Sequence, residues 1–204
     1  MSRGMSQVSP DNPEPRTFIS MTLSGDLGLK TGRTRWAFHR RLRRNIKALL
    51  ARHGHDGRIR DRRDRIDIEG VDASAVAPLS RLFGIRAVRA VRALPWNDLD
   101  DIVAAGERLF ADAVDGRRFA VRPRRVGSRR QVPVRSEAIA RGLGARLIEA
   151  GGRVDLDDPE IKIRVEVRRD DVLFFDDAVH GPGGLPVGMG GRALALSSGG
   201  FDST

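Results

Sequence analysis

Thr17-Phe18-Ile19-Ser20-Met21-Thr22-Leu23 alternates apolar and polar residues, the period of a strand with one face on a core. Ser24-Gly25-Asp26 breaks that pattern. From about Arg33 to His53 the period changes, and Phe38, Leu42, Ile46, Leu49 and Leu50 fall on one helical stripe that Gly54 ends. The opposite side of this helix carries Arg40, Arg41, Arg43, Arg44 and Lys47, which reads as a solvated side or as an extended surface for a polyanion.

Working outward, two short strands are expected near Gly57–Arg62 and Arg65–Glu69, joined by a tight turn at Arg63-Asp64. Asp72 can cap a helix running to about Leu82, where Gly84 stops it, and Ile85 to Val91 reads as a further strand. The order βαββαβ is that of a ferredoxin-like split sandwich over residues 17–95. Pro95-Trp96-Asn97 marks a boundary, followed by a helical stripe through Leu99, Ile102, Val103, Gly106, Leu109, Phe110 and Ala113. A strand at Arg118–Arg122 and a helix capped by Ser136 come next. Ile161-Lys162-Ile163-Arg164-Val165-Glu166-Val167 alternates strictly and pairs with Val172–Asp176 through the turn at Arg169-Asp170-Asp171. Residues 96–180 therefore form a second α/β unit, and the whole is α+β. Residues 1–16, polar with three prolines, read as a disordered arm, and the Gly- and Pro-rich residues 181–192 as a linker.

The chain has 204 residues, 40% of them hydrophobic, with a net charge of +10. That suffices for one or two ordinary cores, and no apolar run approaches the length of a membrane span. Without cysteine there is no disulfide and no thiolate chemistry, so a cytoplasmic protein is expected. Most of the positive charge is arginine, whose planar fork donates two parallel hydrogen bonds to a phosphate. Its densest run contains Arg122, Arg124, Arg125, Arg129 and Arg130 at the end of a strand, and these are the first candidates for RNA contact. Lys30, Arg33 and Arg35, placed before the first helix, are the second.

Ala193-Leu194-Ala195-Leu196 reads as a buried strand running into Ser197-Ser198-Gly199-Gly200-Phe201-Asp202-Ser203. Strand, Ser-Gly-Gly-x-Asp-Ser and a following helix make a PP-loop, whose glycines let backbone N–H groups approach a pyrophosphate. Ser198, Gly199, Gly200, Phe201, Asp202 and Ser203 would then hold ATP, with Asp202 placed toward Mg²⁺. The sequence stops at Thr204, so an incomplete site over residues 193–204 is expected, with no cofactor and no catalytic residue in the chain itself. Gly188-Met189-Gly190-Gly191-Arg192-Ala193 fits a dinucleotide pattern but precedes a strand, which argues against it. His53 and His55 lack the partners of a metal site, and Asp pairs such as Asp157-Asp158 read as turn residues.

Four stretches together resemble the N-terminal half of the tRNA 4-thiouridine synthase (tRNA sulfurtransferase) family. They are Leu29 to Arg35; Phe119 to Gly127; Val154-Asp155-Leu156-Asp157-Asp158-Pro159-Glu160-Ile161; and Gly183-Gly184-Leu185-Pro186-Val187-Gly188 leading to the PP-loop. The resemblance implies a ferredoxin-like domain, a THUMP domain and the first strand of a PP-loop domain. It implies that the first two grip the acceptor stem and 3′ CCA end of tRNA. It further implies that the full-length enzyme uses ATP and Mg²⁺ to adenylate uridine eight, takes sulfur from a persulfide donor protein, forms a homodimer and supplies sulfur for thiamine. Two alternatives are a subunit of a split sulfurtransferase completed by another chain, and a stand-alone THUMP adaptor that presents RNA.

Overall fold

β1 (Arg16–Leu23) keeps the alternation of its sequence: Ile19, Met21 and Leu23 enter a core, while Phe18, Ser20 and Thr22 lie on the other face. The computed structural model describes residues 13–25, 32–62 and 65–191. Within them follow α1 (Gly32–Arg52), β2 (Arg58–Asp61), β3 (Arg65–Glu69), α2 (Val76–Ser80) and β4 (Ile85–Leu94). Next come α3 (Leu99–Val114), β5 (Arg118–Arg125), α4 (Ser136–Glu149), β6 (Arg153–Val154), β7 (Ile161–Val167), β8 (Val172–Phe175) and β9 (Val179–His180).

The first four strands pair in the order β2-β3-β1-β4, all antiparallel, which is the ferredoxin-like arrangement. The sheet does not stop there. β4 pairs antiparallel with β8, matching Leu94 to Val172 and Val91 to Phe175, and the order continues β8-β7-β5-β6. β5 runs parallel to β7 and to β6. The two units read from the sequence thus share one nine-stranded mixed sheet, joined where the end of β4, from Val91 to Leu94, pairs with β8.

All the helices cover one side. On that face of β4, Val88 and Ala90 pack into a cluster with Phe38, Leu42 and Ile46 of α1 and with Leu79 of α2, while Leu94 joins a cluster with α3 and α4. α3 starts at a proper cap, since Asp98 accepts from the amide of Asp101 at 3.0 Å. It approaches α4 closely at Gly106, where a Cβ would sit 2.7 Å from the Leu143 methyls. Among the described residues the other side of the sheet carries no helix, and a small cluster of Phe18, Val91, Ala93, Leu173 and Phe175 lies there.

Several expectations change. Arg16 opens β1, and the Pro13 carbonyl accepts a hydrogen bond from Arg108, so the end of the expected arm is built into the fold. Asp72 caps a short 3₁₀ turn ahead of α2 instead of one longer helix. Ser136 is the first residue of α4 and not its cap. Residues 181–191 are not a free linker. β9 pairs with β4 at Ala87 and Val88, Gly183 exchanges backbone hydrogen bonds with Gly84 and Ile85, and the Val187 carbonyl accepts from Arg41 and Asn45 of α1. Gly181 permits that docking, because a Cβ there would stand 2.5 Å from the Ile85 carbonyl oxygen. The turn expected at Arg63-Asp64 lies outside the described residues, as do Lys30 and everything from Arg192 onward.

Candidate nucleic-acid interface

β7 sets the chemistry of the helix-free side. Its strict alternation sends Ile161, Ile163, Val165 and Val167 to the helices and leaves Lys162, Arg164 and Glu166 on the opposite face. β5 does the same: Phe119 and Val121 are buried under α3 and α4, so Arg122 and Arg124 project the other way. The parallel register places Arg122 directly beside Arg164, and Arg124 beside Glu166. On the other flank Arg164 is paired with Phe175, which is paired in turn with Val91 of β4. Arg89 of β4 reaches over the Phe175 ring, its guanidinium carbon 5.9 Å from the centroid.

These side chains line a cavity of about 570 Å³. Ser20 and Thr22 of β1, Arg65 of β3 and the loop residues Leu156, Asp157 and Pro159 also line it, so six neighbouring strands border one concavity with two carboxylates, Asp157 and Glu166, among its cations. The wall is mixed, with an aromatic ring and two loop apolar groups among six cations. Arg122 donates to the Leu156 carbonyl, which ties the loop after β6 to the rim. At the far wall, Ser20 donates to Asp67 at 2.8 Å, and Arg62 and Arg65 flank the same carboxylate.

The cations of this cavity outnumber its carboxylates, Asp157 and Glu166. Among the described residues Arg124, Lys162 and Arg164 make no ion pair and no side-chain hydrogen bond, and Arg89 makes no ion pair. Glu166, the one carboxylate beside Arg124, is held instead by two nitrogens of Arg168. Burial, and then the charge of Arg164, pull the Arg89 guanidinium below its ordinary pKa, with Asp177 acting the other way. It stays ionised at neutral pH, as arginine does. A desolvated cation beside a second cation gains most from an incoming anion.

Of the residues singled out from sequence, Arg122 and Arg124 are in the cavity. Arg125 is not: it lies on the helix side, half-buried, with a long contact to the Val132 carbonyl at 3.4 Å. Arg129 and Arg130 are exposed in the turn after β5, which Gln131 orders by accepting from the amide and hydroxyl of Ser128. Arg33 and Arg35 belong to the first turn of α1, in the helix layer, and do not precede it. The basic side of α1 is partly engaged, with Arg40 over the Trp36 ring, Arg41 on Val187 and Arg43 on Asp61. Ser198, Gly199, Gly200, Phe201, Asp202 and Ser203, with the ATP and Mg²⁺ assigned to them, lie outside the described residues. Sequence reading missed Arg65, Arg89, Lys162, Arg164 and Phe175; the polar positions of the alternating β7 were the available signal. No group of three His, Asp or Glu among the described residues is placed to hold a metal, and His55 contacts Ser74.

Comparison with known proteins converges on one family. Residues 21–88 match the ThiI ferredoxin-like domain and residues 97–177 the THUMP domain. The chain is 37% identical over 179 residues to a tRNA sulfurtransferase of Pyrobaculum aerophilum, covering 88% of this chain and 36% of that protein. It is 36% identical over 181 residues to a probable tRNA sulfurtransferase of Saccharolobus solfataricus, covering 88% and 47%. The chain thus spans less than half the length of these two relatives. Among solved structures, a 4-thiouridine synthetase–RNA complex with bound ATP superposes with a TM-score of 0.69 at 29% identity, over 93% of this chain and 48% of that one. PH1313 from Pyrococcus horikoshii shares the fold, with a TM-score of 0.67 at 24% identity, over 85% of this chain and 58% of that one. No helix among the described residues is long and apolar enough to cross a membrane.

Proposed function

We propose that this chain, a member of the tRNA sulfurtransferase family that carries its ferredoxin-like and THUMP domains, docks the acceptor stem and 3′ CCA end of tRNA on the helix-free face of its sheet. The observation that carries this reading is the cavity in which, among the described residues, Arg89, Arg124, Lys162 and Arg164 form no ion pair. Phosphates would supply the missing charge, and arginine forks suit them. Phe175, Leu156 and Pro159 offer apolar faces to an unpaired base, the form in which RNA ends expose themselves. Duplex RNA hides its base edges in a deep major groove, so the stem would be held by shape and backbone.

In this reading the two domains position tRNA, and adenylation and sulfur transfer at uridine eight fall to the PP-loop part of the full-length enzyme with its persulfide donor. No step of that chemistry is drawn from the residues described. Binding to an acceptor-stem minihelix, with and without its single-stranded CCA end, tests the assignment across a salt series. Removing CCA should weaken binding about tenfold or more at moderate salt. Equal affinity for both forms, lost in parallel as salt rises, would reduce the cavity to generic positive charge.

A further inference from the structure

Three arginines line the cavity where the ferredoxin-like and THUMP parts of the sheet join. Arg122 and Arg164 are directly opposite each other on adjacent parallel strands. Arg89, from β4 on the other side of the seam, approaches the same place over Phe175, the cross-strand neighbour of Arg164. Like charges directly opposite in a sheet destabilise it. Several other strand arginines are neutralised by a carboxylate: Arg60 by Glu69, Arg92 by Asp176, and Arg118, which stands opposite Arg153, by Asp155, Asp158 and Glu160. Among the described residues no carboxylate forms an ion pair with Arg89, Arg122 or Arg164. One of them, Arg122, is pre-oriented by its bond to the Leu156 carbonyl, which leaves the rest of its fork available.

We propose that Arg89, Arg122 and Arg164 form a phosphate subsite at this seam, and that binding of the phosphate relieves a repulsion that weakens the free protein. The subsite deepens the tRNA reading and rests on it for the source of the phosphate, a backbone diester near the 3′ end. Free phosphate or pyrophosphate has the same chemistry and is distinguished by experiment. The groups come from β4, β5 and β7, so an anion held by all three clamps the two parts of the sheet together.

The test uses the 204-residue chain and two readouts. Thermal unfolding is followed in chloride and in pyrophosphate at matched ionic strength, for the wild type, Arg164→Gln and Arg122→Gln. Kd for the minihelix is measured on the same proteins. In chloride each variant should melt at or about two degrees above wild type, since a repulsion has been removed. Pyrophosphate should raise the melting temperature of wild type and leave the variants unmoved. Minihelix affinity should fall about tenfold in both variants. Arg164→Lys, which keeps charge without the fork, should keep part of the affinity and the wild-type melting temperature. Undiminished minihelix affinity and an undiminished pyrophosphate response in both glutamine variants would overturn the subsite and leave the tRNA reading standing. A pyrophosphate response that depends on Arg164, in a protein that does not bind the minihelix, would keep the subsite and overturn RNA as its source.

Discussion

Arg60 and Arg164 stand on strands of one sheet and face opposite conditions. Near the β2 edge, Arg60 and Arg16 both reach Glu69, and Arg62 and Arg65 share Asp67 with the hydroxyl of Ser20. Around β5 and β7 the same residue type stands among its own kind, and Glu166, the carboxylate in register with Arg124, is already held by Arg168. The partnered edge is charge-balanced and needs nothing further. The unpartnered end keeps a destabilising arrangement that an anion would resolve. A net charge of +10 cannot tell these two regions apart, because both are rich in arginine. What separates them is whether a carboxylate arrives from a neighbouring strand.

The largest expected effect compares the two ends directly. Arg164→Glu should lower affinity for the minihelix by about a hundredfold, since it removes a charge-assisted bond and adds a repelling charge. Arg60→Gln at the partnered edge should change it by less than about threefold. Fluorescence anisotropy at two salt concentrations reads both, and equal losses would erase the distinction. A finer cut lies within one strand. Arg124→Gln should cost about tenfold and flatten the salt dependence by about one phosphate, while its neighbour Arg125→Gln, on the helix side, should leave slope and affinity in place.

That contrast also shows what the sequence made legible. Alternation in β7 and β5 states which residues share a face, and it separates Arg124 from Arg125 as soon as the strand is carried through to Arg125. The sequence reading ended that strand at Arg122, so the run of arginines looked like one loop patch. Arg89 was hidden for another reason. Arg86, Arg89 and Arg92 are three apart, which in a strand puts Arg89 on the face opposite the other two, but nothing local says that β8 lies beside β4. Long-range pairing of this kind also hid the union of two units into one sheet. The docking of residues 181–191 was invisible because it uses glycines and backbone hydrogen bonds rather than an apolar stripe. The βαββαβ order and the paired β7 and β8 were readable, since hydrophobic period and turn chemistry are local.

Stability should move in opposite senses at the two kinds of site. Arg92→Gln loses an ion pair with Asp176 and the Phe110 ring 4.9 Å away, and should destabilise by about 1–2 kcal/mol in urea unfolding. Arg122→Gln should be neutral or slightly stabilising in the same assay. If both destabilise alike, the repulsion at the seam is not felt.

The smallest effect is a pH dependence at the partnered sites. Backbone amides hold two carboxylates below their ordinary range: the amides of Asp158 and Asp157 act on Asp155, and that of Arg118 on Glu160, with the Arg118 guanidinium adding to both. A carboxylate whose folded pKa is depressed contributes stability above its unfolded pKa and loses it as pH falls through the folded one. The loss therefore belongs to the window below about pH 4. Glu160→Gln should make the acid limb of the stability profile shallower there, with no change between pH 6 and 8.

The most direct measurement is an NMR titration of the chain with an acceptor-stem minihelix bearing its CCA end, following the Nε–H signals of the arginines. Shifts concentrated at Arg89, Arg122, Arg124 and Arg164, with Arg60 and Arg118 unmoved, are the predicted result. Shifts concentrated at Arg40 and Arg44 on α1, with the four groove arginines unmoved, would place RNA on the helical side and contradict the account.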